Sequence, residues 1–193
     1  GFNAGSAVSA GQDAAMAMLV THMSAAIASI VWLTIEWIKF GKPSLVGLVT
    51  GTIAGLATIT PASGFVGPTG AIILGLAGGI VCYVAVDFVK NALKIDDSLD
   101  VLAVHGVGGA TGTLLAAFLA VESLGGAGLP DGATVASQFG VQATGVVVVA
   151  IWSAIATAII VFIARAWVGL RVTEEEETEG LDFIQHGESG YRL

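Results

Sequence analysis

VLAVHGVGGATGTLLAAFLAV, residues 101–121, is long and apolar enough to cross a lipid bilayer as one helix, and it decides the fold class. The stretch contains one ionisable side chain within its apolar part, His105. If Asp97 caps this helix, His105 lies eight residues further on, or about 12 Å into the apolar layer at 1.5 Å per residue. An ionisable group at that depth is costly to keep in hydrocarbon, so His105 is a candidate functional residue.

The rest of the chain has the composition of an integral membrane protein. Of 193 residues, 55% are hydrophobic and 11% are charged, whereas soluble domains carry about one quarter charged residues. Similar apolar runs cover residues 14–38, 70–89 and 135–168, with a shorter run at 44–59. Because these runs are continuous, they predict helices and not the alternating strands of a barrel.

The predicted fold is therefore all-α, a polytopic integral membrane helical bundle. Residues 1–170 form the transmembrane part, and residues 171–193 form a C-terminal tail. The run at 135–168 is too long to stand upright in a bilayer, so we expect it to tilt or to protrude. Gly47, Gly51 and Gly55 are spaced by four residues, a pattern typical of helices that approach each other closely.

Lysine and arginine are distributed unevenly between the predicted loops. The loops 36–43 and 90–100 each contain two lysines, and two arginines flank the exit of the last helix. The loops 60–69 and 122–134 contain neither residue. The positive-inside rule therefore predicts that the basic loops and the C-terminal tail face the cytoplasm.

Several function classes are excluded by composition and motif. The net charge is −8, and no basic face for nucleic acid is present. Cys82 is the single cysteine, so no intrachain disulfide can form. The glycines of Gly106-x-Gly108 lie inside a membrane run without the preceding strand that a dinucleotide turn needs. With no metal-ligand spacing, nucleotide loop or nucleophile motif, we expect neither an enzyme nor a bound metal or cofactor.

The polar residues of the membrane runs leave alternatives open. His105 either lines a conduction path or makes a hydrogen bond between two helices, and spacing alone does not separate these interpretations. For His22 the packing or interhelix hydrogen bond is favoured. For Asp97 and Asp100 helix capping is favoured, because carboxylates at a helix start accept backbone N–H groups. Capping is compatible with a second role in shaping an inner vestibule.

Nine segments, in order and at family-like spacing, carry a resemblance to a known family. They are GFNAGS (1–6), GKPS (41–44), AGLATITPASG (54–64), DDSLD (96–100), HGVGG (105–109), SLGG (123–126), VGLRV (168–172), EGLD (179–182) and HGE (186–188). From Gly1 to Arg192, the chain resembles the C-terminal half of the Amt/MEP ammonium transporters, relatives of the Rhesus proteins. The matching part runs from the end of the sixth helix through the eleventh and the cytoplasmic tail.

The resemblance implies transport of ammonium or ammonia across the cytoplasmic membrane by a homotrimer of eleven-helix protomers, each with its own hydrophobic pore. It also implies roles for individual residues. Phe2 is the inner member of a phenylalanine gate, Ser6 lies at the outer recruitment site, and His105 is the second of two pore histidines. Asp97 matches an acid on the cytoplasmic side of the pore helix. His22 does not match the first pore histidine.

The family's N-terminal half has no counterpart in these residues. The other gate phenylalanine, the outer-site tryptophan, a structural aspartate and the first pore histidine are missing. We therefore expect the chain to be a fragment, a split-gene product or one half of an assembly. Gly1 to Val8 begins without Met and without a charged leader, which suggests the truncated outer end of a preceding membrane helix.

The tail suggests an alternative function. Residues 174–177 are four consecutive glutamates, most simply a solvated acidic run. Around them, Arg171, Glu179, Gly180 and Asp182 resemble the cytoplasmic tail through which the family couples protomers and meets PII-type signal proteins such as GlnK. An ammonium sensor or regulatory membrane protein that acts through this tail is therefore the alternative to transport.

Overall fold

The computed structural model describes residues 1–190; residues 191–193, with the end of the predicted tail and Arg192, lie outside the described part. Within it every regular element is helical, as predicted. The α-helices are α1 (Phe2–Gly5), α2 (Gln12–Phe40), α3 (Leu45–Ile59), α4 (Pro68–Asp87), α5 (Gly108–Leu119), α6 (Val135–Trp167), α7 (Glu174–Glu179) and α8 (Leu181–His186). Two π-helices, π1 (Phe88–Ala92) and π2 (Val101–Val107), and a 3₁₀ turn (Glu122–Leu124) complete the set.

Four helical stretches of the described chain are long and apolar enough to cross a membrane. They are Gln12–Phe40, Pro68–Ala92, Val101–Leu119 and Val135–Trp167, and the shorter apolar helix is Leu45–Ile59. All five coincide with the predicted runs. The run that carries His105 begins with a π-helix, however, and becomes α-helical only at Gly108. That change was not predicted.

The helix ends follow from local chemistry. Gly41 closes α2 with a left-handed backbone (φ 75°), which glycine adopts without steric cost. Ser44 caps α3 by accepting a hydrogen bond from the N–H of Gly47 at 2.8 Å. Glu36 in turn accepts hydrogen bonds from the backbone N–H and hydroxyl of Ser44, at 2.7 and 3.1 Å. These hydrogen bonds link the end of α2 to the start of α3 across the short connection between the two helices.

Helices α2, α3 and α4 pack closely on one another because small residues line their contacts. The buried residues of α2 recur every third or fourth position, from Ala17 through Val20 and Ser24 to Ala28 and Trp32. A Cβ atom on Gly55 would lie 2.5 Å from the Ser24 carbonyl oxygen, so only glycine permits this approach. The expected close contact at the glycine motif is confirmed.

π2 and α5 lie against α3 and α4, and glycine again permits the contact. A Cβ atom on Gly112 would overlap the carbonyl group of Thr58 on α3. One turn earlier, a Cβ atom on Gly108 would lie 2.9 Å from the Sγ atom of Cys82 on α4. At its α-helical end, the helical stretch that carries His105 therefore packs closely against both α3 and α4.

The chain divides into two compact units, Gly1–Val146 and Val147–Leu193, and the division falls inside α6. The first unit contains α1 to α5, both π-helices and the first residues of α6. The second contains the rest of α6 together with α7 and α8. Within the described chain, none of the 33 residues of α6 is buried. The boundary expected at residue 170 between membrane part and tail remains a prediction.

Candidate functional site

Asp97 caps the helical stretch that carries His105, as predicted. Its Oδ1 atom accepts a hydrogen bond from the N–H of Val101 at 2.8 Å. Its Oδ2 atom accepts two more, from Leu102 at 3.0 Å and Ala103 at 3.2 Å. One carboxylate therefore satisfies three of the backbone donors that a helix start leaves without partners.

The capping role expected of Asp100 is wrong. Asp100 directly precedes π2, but its side chain makes no capping hydrogen bond to the described residues, and its backbone is left-handed with φ at 56°. Its Oδ1 atom instead lies 2.7 Å from the Nζ atom of Lys90, a residue of π1. The carboxylate of Asp100 is thus paired with a lysine and not with the backbone N–H groups of the helix start.

His105 lies on π2 and faces an open groove. The groove has a volume of about 510 Å³ and is lined by Phe2, Ile53, Leu56, Ala57, Thr60, Pro61, His105, Gly109 and Thr113. We call this space the Phe2–His105 groove. His105 supplies the one ionisable side chain among these lining residues, and the others are apolar apart from two threonine hydroxyls. Within residues 1–190 the imidazole makes no hydrogen bond, so the expected alternative of an interhelix bond is not realised in this part of the chain.

Phe2 connects this groove to a second, more polar one. The second groove has a volume of about 350 Å³, and its lining includes Phe2, Asn3, Ser6, Asp13 and Ser63. Phe2 lines both spaces and is 78% exposed. Ser6 lines the second groove and His105 the first, and Phe2 lines both.

Asn3 positions the segment that carries Phe2 and Ser6, and sequence reasoning missed it. Its Nδ2 atom donates hydrogen bonds to the hydroxyl oxygens of Thr21 on α2, at 3.0 Å, and Thr60 after α3, at 3.3 Å. The Ser6 hydroxyl donates to the Phe2 carbonyl oxygen at 3.0 Å. The sequence offers one sign of this role, a carboxamide side chain among small residues. It does not reveal the two threonine partners, because they are distant from Asn3 in sequence.

The expectation for His22 is not met. His22 is exposed on α2, and within the described residues it makes no hydrogen bond. The neighbouring Thr21 and Ser24 occupy the buried face of α2, and His22 points away from that face. It is not among the residues that line either groove.

The predicted tail residues lie around two short helices. The four glutamates at 174–177 form the first turn of α7, where Thr173 and Glu176 make a reciprocal capping box. The backbone N–H of Thr173, and then its hydroxyl, donate to the Glu176 carboxylate and hold its pKa below the usual value. Gly180 joins α7 to α8 with φ at 100°, between Glu179 and Asp182. Arg171 lies 3.8 Å from Glu177, and both are well exposed.

The described residues bring no three His, Cys, Asp or Glu side chains together in a group that could hold a metal ion. The Phe2–His105 groove offers one imidazole, one aromatic ring, two hydroxyls and an apolar wall, and the second groove adds the carboxamide of Asn3, the carboxylate of Asp13 and further hydroxyls.

Comparison with known proteins gives a consistent result. The sequence profile described as Ammonium Transporter Family matches residues 1–191. The chain is similar to a putative ammonium transporter of Methanothermobacter thermautotrophicus, with 47% identity over 100% of this chain and 48% of that protein. It is equally similar, at 47%, to ammonium transporter Amt1 of Archaeoglobus fulgidus, over 99% of this chain and 48% of that one.

Among solved structures, one named Sensor Amt Protein superimposes with a TM-score of 0.85 at 36% identity, over 94% of this chain and 44% of that chain. The chain thus spans about half the length of the curated relatives it matches.

Proposed function

This chain belongs to the ammonium transporter family, and we propose that it forms one wall of an ammonium-conducting pore in a multi-pass membrane protein. The observation that carries the proposal is the Phe2–His105 groove. Residues from opposite parts of the chain line one apolar space there, with a single imidazole in its wall. The relatives that bear the name ammonium transporter support the choice of substrate.

The residues along the two grooves suit the steps that ammonium conduction requires. An ammonium ion that leaves water loses hydration, and an aromatic face together with a hydroxyl can replace part of it. In our proposal Phe2 and Ser6 supply these groups. Beyond the Phe2 ring the wall is apolar, which favours neutral ammonia over the ion. The imidazole of His105 accepts the proton or a hydrogen bond there.

The groove is open along one side in the residues described. We propose that polypeptide outside these residues, corresponding to the N-terminal half of the relatives, closes it into a pore. The same proposal includes a homotrimer in the cytoplasmic membrane with the tail on the cytoplasmic side. The lysines of the loops 36–43 and 90–100 support that orientation.

We propose sensing as a second function, because the solved structure with a TM-score of 0.85 bears the name Sensor Amt Protein. In this version the tail, with Arg171, Glu179, Gly180 and Asp182, binds a PII-type signal protein. The capping box of α7 gives that tail a defined helical start. Both functions use the same groove for ammonium.

Ammonium uptake tests the proposal directly. The gene product that contains this chain is expressed in cells without other ammonium transporters, and uptake is measured for His105→Ala and His22→Ala. Both variants remove an exposed imidazole from a membrane helix, but only the first changes the groove. We expect His105→Ala to lower uptake at least about tenfold, equivalent to about 1.4 kcal/mol, and His22→Ala to leave it unchanged. Equal uptake by both variants would refute the proposed role of the groove.

A further inference from the structure

π2 is the least ordinary element of the site. A π-helix closes its hydrogen bonds from residue i to residue i+5, is rare, and occurs mostly as single turns at functional positions. His105 is the fifth of its seven residues. Relative to an α-helix, a π turn holds one extra residue, which changes the direction of the following side chains by about 100°. The direction in which the imidazole points therefore depends on π2 keeping this geometry.

Asp100 directly precedes π2, and its backbone is left-handed at φ 56°. Its carbonyl oxygen accepts an α-type hydrogen bond from the N–H of Val104 at 2.7 Å. Aspartate adopts that conformation more readily than most residues, but at a cost relative to glycine. Something must hold Asp100 there, and its carboxylate is not used for capping.

Lys90 is the group that meets this carboxylate. The Oδ1 atom of Asp100 is buried and accepts no hydrogen bond from the described residues, but the Lys90 ammonium lies 2.7 Å from it as an ion pair. The side chains of Lys90 and Asp100 are 37% and 18% exposed, so the pair is only partly screened by solvent. Lys90 belongs to π1, which directly continues α4. The ion pair thus ties the first turn of π2 to the end of a neighbouring membrane helix.

We propose that Lys90 is a positioning residue for His105. Its ammonium holds the Asp100 carboxylate, which keeps Asp100 in the left-handed conformation and π2 in its register. The imidazole then faces the Phe2–His105 groove. This inference rests on the proposed function of the groove, and it adds a residue that does not line the groove itself.

Lys94 provides a matched control. It lies two residues after the end of π1, is exposed, and also has a left-handed backbone, with φ at 53°. Within the described residues it has no ion pair. Removing the positive charge of Lys94 changes the local electrostatics in the same way as removing the charge of Lys90. It leaves the ion pair between Lys90 and Asp100 intact.

The experiment compares Lys90→Met, Lys90→Arg and Lys94→Met in the gene product that contains this chain, with wild-type His105 and with His105→Ala. Uptake rates are normalised to the amount of protein in the membrane. We expect Lys90→Met to lower the maximal rate about tenfold, with KM unchanged because Phe2 and Ser6 are untouched. Lys90→Arg and Lys94→Met should retain the wild-type rate. With His105→Ala, Lys90→Met should cause no further loss, since the two changes act through one group.

An unchanged rate for Lys90→Met would overturn the inference. So would an equal fold loss with and without His105, because that pattern indicates a general structural effect. A normal rate for His105→Ala would instead overturn the proposed function. If Lys90→Met fails to reach the membrane, Asp100→Asn breaks the same pair and retains a side chain that tolerates a left-handed backbone. It is then judged by the same criteria.

Discussion

Asp97→Ala should destabilise the first turn of π2 and reduce transport. The substitution removes the acceptor of three backbone hydrogen bonds, from Val101, Leu102 and Ala103. Loss of one capping side chain costs about 1 kcal/mol. Two of the three bonds are exposed, so water can replace them, and the third is partly buried. We therefore expect a loss of about 1–2 kcal/mol of local stability, well below the sum for three buried bonds.

Amide hydrogen exchange measures that loss at the residues concerned. In Asp97→Ala the amides of residues 101–105 should exchange about 5- to 30-fold faster than in the wild type, which corresponds to the expected loss of about 1–2 kcal/mol. Asp97→Asn keeps one acceptor oxygen and should show an intermediate increase. The amides of α2 serve as an internal control and should not change. Unchanged exchange at 101–105 in Asp97→Ala would show that the carboxylate does not hold π2.

Contacts elsewhere in the chain give three further predictions. Gly112→Ala forces a methyl group into the Thr58 carbonyl, so it should lower the free energy of unfolding by about 1–3 kcal/mol in a detergent melt; an unchanged melting temperature would contradict the packing of α5 on α3. Because the pKa of Glu176 is lower in the folded tail than in the unfolded chain, its stabilisation of α7 is present above the unfolded pKa and is lost as the pH falls through the folded one. The protection of the α7 amides, measured against the intrinsic exchange rate at each pH, should therefore fall in acid, and Thr173→Ala should remove most of that pH dependence. Deleting residues 171–193 should abolish the response to a PII-type protein and leave measurable uptake, whereas complete loss of uptake would indicate a structural role for the tail.

Much of the fold could be predicted because it depends on local pattern. Apolar runs of membrane length indicated the helices, and the spacing of glycines on α3 anticipated a close helix contact, which the structure shows to be with α2. The cap by Asp97 was predictable for the same reason, since an acid just before an apolar run commonly accepts the first backbone donors.

The features that local pattern did not reveal depend on distant partners. The π-helix at residues 101–107 follows a left-handed Asp100, and Asp100 contacts Lys90 on another helix. The two threonine partners of Asn3 lie on α2 and after α3. His22 and His105 both lie among small residues of a membrane run, and only the packing of the helices shows that one of them faces a groove.

The most direct test of the central claim is to fill the Phe2–His105 groove from within. Gly109 lines the groove one helical turn after His105, and a Cβ atom placed there would have, apart from its chain neighbours and the adjoining backbone of its own helix, no described atom within 4 Å. Gly140 on α6 has equally free space but does not line the groove, so it provides the control.

Ammonium uptake should then be measured for Gly109→Ala, Gly109→Val and Gly109→Leu beside Gly140→Leu, at equal amounts of protein in the membrane. Uptake should fall stepwise with side-chain size at position 109 and be abolished by leucine, while Gly140→Leu retains the wild-type rate. Wild-type uptake by Gly109→Leu would show that ammonium does not pass through this groove.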